Sequence, residues 1–327
     1  MGTFVVFGGT GFVGRSVVHH LCAEGHRVIV PTRSVEKAAS LKVSGHVGQV
    51  TPCAFDLFRS SKESLNTLLA GVDGVINTVG ILYPKRLFDT LHVQWPKTLA
   101  TACGHLGVEH LIHISALGVA PSSKSAYASS KARGEQAVLS IFPRASILRP
   151  SVIFGPGDGF LGKFANMASL LPFLPLIGGG KTRFQPVFVG DVAQAVMAVI
   201  ASERHEGQVF SLGGPNVLSF RDILQAIIKT TGHDVFFMPV PFFMASILGW
   251  IMQQLPRPIL TADQVILLKS DNVVAAETKT FEDLGILPTS LLPMLPELLQ
   301  GYKRGGRWGS DQGSMTSSEK SSCQPLI

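Results

Sequence analysis

Tyr127 and Lys131 stand four residues apart in Tyr127-Ala128-Ser129-Ser130-Lys131. On a helix that spacing puts both side chains on one face. An ammonium beside a phenol lowers the phenol's pKa and lets it act as acid or base near neutral pH. Such pairs recur by chance, so their meaning depends on the surroundings. Ser115, twelve residues upstream at the end of a strand-like run, is placed to hydrogen-bond a substrate carbonyl or hydroxyl. A second chemical set lies in Gly8-Gly9-Thr10-Gly11-Phe12-Val13-Gly14, where Gly8, Gly11 and Gly14 make G-x-x-G-x-x-G. A tight turn and a close backbone approach to pyrophosphate leave no room for Cβ, and the helix that opens there adds N–H groups and a positive dipole end. Gly8, Thr10, Gly11, Phe12, Val13, Gly14 and Arg15 are therefore assigned to a dinucleotide.

The run after the glycine loop names the dinucleotide. An NAD site places an acid after the second strand for the ribose 2′-OH. Here that stretch reads Val30-Pro31-Thr32-Arg33-Ser34, without an acid. Arg33, with Arg15, can clamp a 2′-phosphate by paired hydrogen bonds, so NADP(H) is expected ahead of NAD(H). The alternative is that both arginines are simply solvated. Asp56, ending the third strand, reads as an adenine-side contact or as a helix N-cap.

These residues need a frame. Strand-like runs at 3–7, 27–30, 47–54, 74–78, 110–115 and 145–148 alternate with helical stretches at 13–24, 62–70, 87–105 and 128–141. That alternation predicts an α/β fold, a Rossmann-type doubly wound parallel sheet with a smaller C-terminal lobe. The nucleotide domain is expected over 1–158 and 184–212, with returns to the sheet at Pro186–Val189 and Val209–Leu212. The small substrate or partner lobe is expected over 159–183 and 213–302. A Ser-, Gly- and Gln-rich tail, 303–327, reads as disordered.

Composition removes other classes. Of 327 residues, 46% are hydrophobic and 15% charged, which excludes collagen, coiled coil and wholesale disorder. The net charge of +6 is lopsided: 15 Lys/Arg face 8 Asp/Glu in residues 1–150, against 13 and 14 in the rest. A positive first half suits an anionic cofactor, and without a basic helix or zinc spacing no nucleic acid is expected. Four scattered cysteines read as reduced thiols. His110 and His113 share a strand at a spacing that points them to opposite faces, so no metal is expected. Asp191 reads as the N-cap of a helix over 192–200 sooner than as a catalytic acid. No signal peptide is visible, and Val6 defeats a Gly2 myristoylation motif. The uncharged run Val235–Pro256 is interrupted by Pro239 and Pro241, leaving a helix over 242–255 that is too short to cross a bilayer. It reads first as a buried helix of the small lobe, and second as a membrane- or subunit-facing surface, a reading favoured by a second uncharged run, Phe164–Gly180.

Taken together, the glycine loop, Ser115 and the Tyr127/Lys131 pair resemble the short-chain dehydrogenase/reductase superfamily in its extended or atypical branch, over residues 3–302. The resemblance implies a Ser115–Tyr127–Lys131 catalytic triad. It puts Asn77 and Gly80 in a loop at the cofactor and Pro150 and Ile153, within Arg149–Gly157, beside the nicotinamide. Gly80-Ile81-Leu82-Tyr83, the segment 177–187 and Gly190-Asp191-Val192 are similar to the NAD(P)H-binding accessory subunit family of respiratory complex I and its bacterial homologues. Mitochondrial members of that family often lack the full triad, whereas this chain keeps it. The resemblance implies an accessory or assembly role in NADH:quinone oxidoreductase, or work in quinone biosynthesis. Its partners would be complex I subunits or the membrane surface, reached from the cytoplasmic face of the inner membrane (the matrix side in a eukaryote). The intact triad implies instead an active NADP-dependent oxidoreductase or epimerase, its small-molecule substrate lipid-like or a nucleotide sugar. A redox-sensing regulator is a third reading.

Overall fold

Short apolar runs between glycine- and proline-bearing turns become strands in the computed structural model, which describes residues 1–255 and 258–304. They are β1 (Thr3–Phe7), β2 (Arg27–Thr32), β3 (Val50–Ala54), β4 (Gly74–Asn77), β5 (His110–Ile114) and β6 (Ser146–Pro150). Shorter pieces follow: β7 (Ile153–Phe154), β8 (Phe173–Ile177), β9 (Arg183–Phe184), β10 (Val187–Phe188), β11 (Val209–Leu212), β12 (Leu218–Ser219) and β13 (Phe236–Val240). Helices α1 (Phe12–Ala23), α2 (Val35–Ala38), α3 (Lys62–Leu69), α4 (Trp95–Leu106), α5 (Ala126–Ile141) and α6 (Leu161–Leu170) are followed by five more. Those are α7 (Val189–Ile200), α8 (Phe220–Thr231), α9 (Phe242–Met252), α10 (Ala262–Leu267) and α11 (Leu291–Leu298).

Seven strands form one parallel sheet in the order β3-β2-β1-β4-β5-β6-β11, a Rossmann-type α/β fold. Alternation along β1 feeds both of its faces. Phe4 and Val6 join a core with Val17, Leu21 and Val196 from α1 and α7, while Val5 and Phe7 join Leu65, Leu99 and Val138 from α3, α4 and α5. The chain reverses its winding between β1 and β4, and ligands of such sheets bind outside the strand ends at that switch point. The glycine loop leaves β1 there, and Asn77–Gly80 leaves β4 beside it.

Three expectations change. Val187–Phe188 does not return to the sheet; it pairs with β7 in a separate two-stranded ribbon, while β11 does join the sheet edge. The helix expected over 87–105 is broken into a 3₁₀ turn at Lys85–Leu87, a π-turn at Thr90–Gln94 and then α4. Pro96 is the cause, since it lacks the N–H that would close an α-helical bond to the His92 carbonyl. Asp191 is not an N-cap, because α7 begins two residues earlier. Its buried carboxylate accepts the Thr289 N–H and hydroxyl at 2.6 and 2.9 Å, fastening α7 to the chain before α11.

Outside the sheet, α6, α8 and α11 pack around Phe184, Phe220 and Leu224, and β8 pairs in parallel with β13. The first reading of Val235–Pro256 fails here. α9 ends at Met252, and only Ala245 and Gly249 of its residues are buried. Among the described residues no helix is long and apolar enough to cross a membrane, and no His/Cys/Asp/Glu group is arranged for a metal. Lys303 and Arg304, at the start of the expected tail, are described, and Arg304 pairs with Asp234 at 3.2 Å. The remainder of that tail lies outside the described residues.

Candidate functional site

The glycine loop divides its labour. Gly8 has φ +78°, and a Cβ there would come within 2.6 Å of Thr78 Oγ1. Gly14 sits so close under the turn that a Cβ would lie 2.2 Å from the Gly8 carbonyl oxygen, so it is required for α1 to pack on its own loop. Gly11 is exposed, and a Cβ there would meet only the Gly8 oxygen, at 3.1 Å. Its open side leaves room for a pyrophosphate. No side chain caps α1 at Gly11, and its first turn holds no acid, so its N-terminal N–H groups remain available to an anion. These features fit a dinucleotide.

Arg15 donates from Nε to the Thr10 carbonyl at 2.9 Å, bracing the loop, and Arg33 stands exposed just past β2. Neither pairs with a carboxylate among the described residues. Asp56 accepts the Phe58 N–H at 2.9 Å in the turn after β3. Its N-cap alternative falls, because Ser61 caps α3 by accepting the Ser64 N–H. Pro150 closes β6, and Ile153 begins β7 beyond it.

Ser115, Tyr127 and Lys131 lie on β5's exit and on the first turns of α5. Ser115 is buried, and its hydroxyl has no hydrogen-bond partner. An unpaired buried hydroxyl is costly, so Ser115 fits a partner brought by a ligand or a water. Lys131 is also buried; its ammonium donates to the Ile114 carbonyl at 2.7 Å and is pushed down to about 8 by burial, against the opposing pull of Glu135. Gly80 lies next to it: a Cβ there would be 3.8 Å from Lys131 Nζ.

The expectation that the lysine lowers the phenol's pKa is not met by the protein alone. Burial pushes Tyr127 up to about 12. Its ring is only partly exposed, edge-on to Phe88 and His92, and one of the three N–H donors of the Lys131 ammonium goes to the Ile114 carbonyl.

Residues not expected from the sequence hold this set in place. His92 Nε2 accepts the Ile81 N–H at 3.1 Å, which leaves the proton on Nδ1 to donate to Ser130 Oγ at 2.9 Å. Ser130 in turn donates to the Tyr127 carbonyl at 2.8 Å. One imidazole thus ties the loop after β4 to α5. Burial, then the Lys131 charge, hold its pKa down at about 3, so it stays neutral. Asn77, expected in a loop at the cofactor, is instead the last residue of β4 and is wholly inside: its amide meets His113 Nδ1 at 3.0 Å, and its oxygen accepts from Trp95 Nε1 at 3.3 Å. It therefore positions the β4 exit from within. The carboxylate of Asp263, from α10, accepts the Ala126 and Tyr127 N–H groups at 2.7 and 3.1 Å and the Ser125 hydroxyl at 2.8 Å. Such a partner 136 positions away in sequence has no local signal.

Comparison with known proteins gives the same frame. Residues 4–213 match the NAD dependent epimerase/dehydratase family. The chain is 36% identical, over 94% of its length and 82% of the relative's, to NADH dehydrogenase [ubiquinone] 1 alpha subcomplex subunit 9, mitochondrial, of Mus musculus. It is 34% identical to the Arabidopsis thaliana protein of the same name, covering 92% of this chain and 78% of the relative. Among solved structures, triphenylmethane reductase from Citrobacter sp. complexed with NADP(H) overlays with a TM-score of 0.71 at 22% identity, over 91% of this chain and 99% of that one, a likeness of fold. With the glycine loop at the sheet's switch point and a Ser–Tyr–Lys set beside it, the chain belongs to the NAD dependent epimerase/dehydratase family, the extended branch of the short-chain dehydrogenases/reductases.

Proposed function

We propose that this protein is an NADP(H)-holding accessory subunit of a respiratory NADH:quinone oxidoreductase, peripheral on the cytoplasmic face of the inner membrane or its mitochondrial equivalent. The observation that carries the reading is the reach of the likeness. The family match ends at residue 213, yet similarity to the complex I subunits spans more than nine-tenths of the chain, including the lobe built on α8 to α11. A lobe shared with those subunits, beyond the nucleotide-binding part, is what a common partner would require.

In this reading Gly8, Gly11, Gly14 and the start of α1 take the pyrophosphate. Arg33 and Arg15 take the 2′-phosphate, and Gly80, Pro150 and Ile153 border the nicotinamide end. The cofactor supplies or accepts hydride where a substrate is present. A tightly held ligand also stabilises the folded state by mass action, so it can serve as a structural part without reacting.

A second reading is favoured by one observation, the unpaired Ser115 hydroxyl beside Tyr127 and Lys131. An NADP-dependent oxidoreductase or epimerase would use Ser115 to bind a carbonyl and Tyr127 to move its proton, with Lys131 supporting the charge. Two substitutions separate the readings. Tyr127→Phe removes the acid and keeps the ring; Gly11→Val fills the pyrophosphate space. Respiratory complex assembly, followed on native gels, is expected to survive Tyr127→Phe and fail with Gly11→Val. Loss of a specific reductase activity in the Tyr127→Phe strain, with assembly intact, would favour the enzyme.

A further inference from the structure

α9 presents an apolar face to solvent. Phe243, Met244, Ile247, Leu248, Trp250 and Ile251 are all exposed, Phe243 at 67% and Trp250 at 62%. The opposite side is seated on the protein: Ala245 and Gly249 are buried, and a Cβ on Gly249 would lie 2.9 Å from the backbone at Thr261 and Ala262. The helix is thus pinned flat, with one long side free. An exposed apolar stripe on a fixed helix marks a contact site.

Polarity on and around that face selects the occupant. Protein interfaces carry about one hydrogen bond per 100–200 Å². This face offers little, because the one hydroxyl in α9, on Ser246, donates to the Phe242 carbonyl at 2.8 Å, which leaves the exposed Trp250 indole N–H as the stripe's side-chain donor. Cationic groups flank the stripe. Lys269 lies over the Phe242 ring with Nζ 5.7 Å from its centroid. Tyr83 donates its hydroxyl to the Gln253 carbonyl at 2.7 Å, which brings the loop bearing exposed Lys85 and Arg86 to the C-terminal end of α9. No acidic residue occurs between Asp234 and Asp263, and the Asp263 carboxylate is turned into the N-terminus of α5. An uncharged stripe with a cationic flank, whose one side-chain donor is a tryptophan N–H, matches the interface of an anionic bilayer leaflet, where an indole ring is apolar on one side and hydrogen-bonded on the other.

We infer that α9 lies in the headgroup–acyl boundary of an anionic membrane and attaches the protein to it from one side. The inference rests on the peripheral location proposed above, and gives it a surface. Attachment also bears on the site. Tyr83 belongs to the loop after β4 that carries Gly80, and α10, which packs on α9, supplies the Asp263 that caps the helix of Tyr127.

The test is flotation of the purified full-length chain, loaded with NADPH, with vesicles of phosphatidylcholine alone or mixed with phosphatidylglycerol. The wild type is expected to float with the mixed vesicles, with a blue shift of Trp250 emission. Ile247→Glu and Trp250→Glu are expected to abolish flotation with unchanged nucleotide retention and thermal midpoint, since both side chains are exposed. Lys85→Gln or Arg86→Gln is expected to weaken binding to the mixed vesicles by about fivefold for each charge removed. A wild type that fails to float with either vesicle, or an Ile247→Glu variant that floats like it, overturns the inference. If flotation fails while the protein still enters the respiratory complex, the face is covered by protein, and the accessory-subunit reading stands without it. If the protein floats but is absent from the complex, that reading falls and the membrane contact remains.

Discussion

Lys131 carries the sharpest electrostatic consequence. The unfolded chain holds its proton up to the ordinary lysine value of 10.5, while the folded chain releases it near 8. Between those values unfolding takes up a proton, so this group makes stability rise with pH from about 8 to about 10.5. Below 8 it is charged in both states, and its burial is a constant cost. Lys131→Met is expected to remove this slope. The difference between wild-type and variant urea-unfolding free energies should change by on the order of 3 kcal/mol across the window. A flat difference would place the ammonium in water. At the other end of the site, Arg33→Ala is expected to weaken NADPH binding by about 1–3 kcal/mol, leaving NADH binding unchanged. Parallel titrations of both nucleotides measure it, and equal losses would remove Arg33 from the 2′-phosphate.

Helix α5 and the π-turn before α4 behave as one joint. Gly134 of α5 packs so tightly that a Cβ would sit 1.8 Å from the His92 carbonyl oxygen, the same carbonyl that Pro96 leaves without a helical donor. Gly134→Ala is therefore expected to destabilise the fold by about 1–3 kcal/mol or more and to loosen nucleotide retention, because α5 must lift from the turn. Gly104 in α4 is the control. A Cβ there meets only Phe142 at 3.9 Å, so Gly104→Ala is expected to be neutral or to stabilise by about 0.5–1 kcal/mol. Thermal midpoints of the two variants decide it. This joint also marks where sequence reading stops. The strands β1, β2 and β4 were legible because β-branched runs end in glycine or proline turns, and α5 because Tyr127 and Lys131 ride one face. The break at Thr90–Gln94 had a signal that the expected helix passed over, since Pro96 lies in the middle of 87–105, where a proline removes a helical N–H. His92 was not legible, because its partners Ile81 and Ser130 meet it only once α4 and α5 are packed. The glycine spacing pointed to pyrophosphate, but that Gly14 serves packing while Gly11 faces open space needs coordinates.

Across the whole molecule, Asp263 is one of the links between the sheet and the chain beyond residue 213. Its one carboxylate accepts three hydrogen bonds, from a hydroxyl and two backbone N–H groups, and so caps α5 at its positive end. Asp263→Ala is expected to destabilise by about 2–4 kcal/mol and to weaken nucleotide binding, although residue 263 lies outside the stretch matching the nucleotide-binding family. Isothermal titration with NADPH checks it, and an unchanged affinity would limit Asp263 to a local role. The apolar run at Val235–Pro256 was misread as interior because composition reports that a segment is apolar and not which side of it is covered.

The Asp263 clasp also limits how this chain can be recombined with its relatives. A chimera joined at residue 213 would inherit the first turn of α5 from one parent and the carboxylate that closes it from the other. Ser125, the Ala126 and Tyr127 backbone, and Asp263 thus form one heritable unit split by more than a hundred residues. Exchange within the lobe is tolerable only if an acceptor in the same place travels with it. Grafting the first 213 residues onto a different C-terminal part would yield a protein whose glycine loop is intact and whose α5 keeps only its local Ser125 cap, at 3.2 Å from the Ala128 N–H.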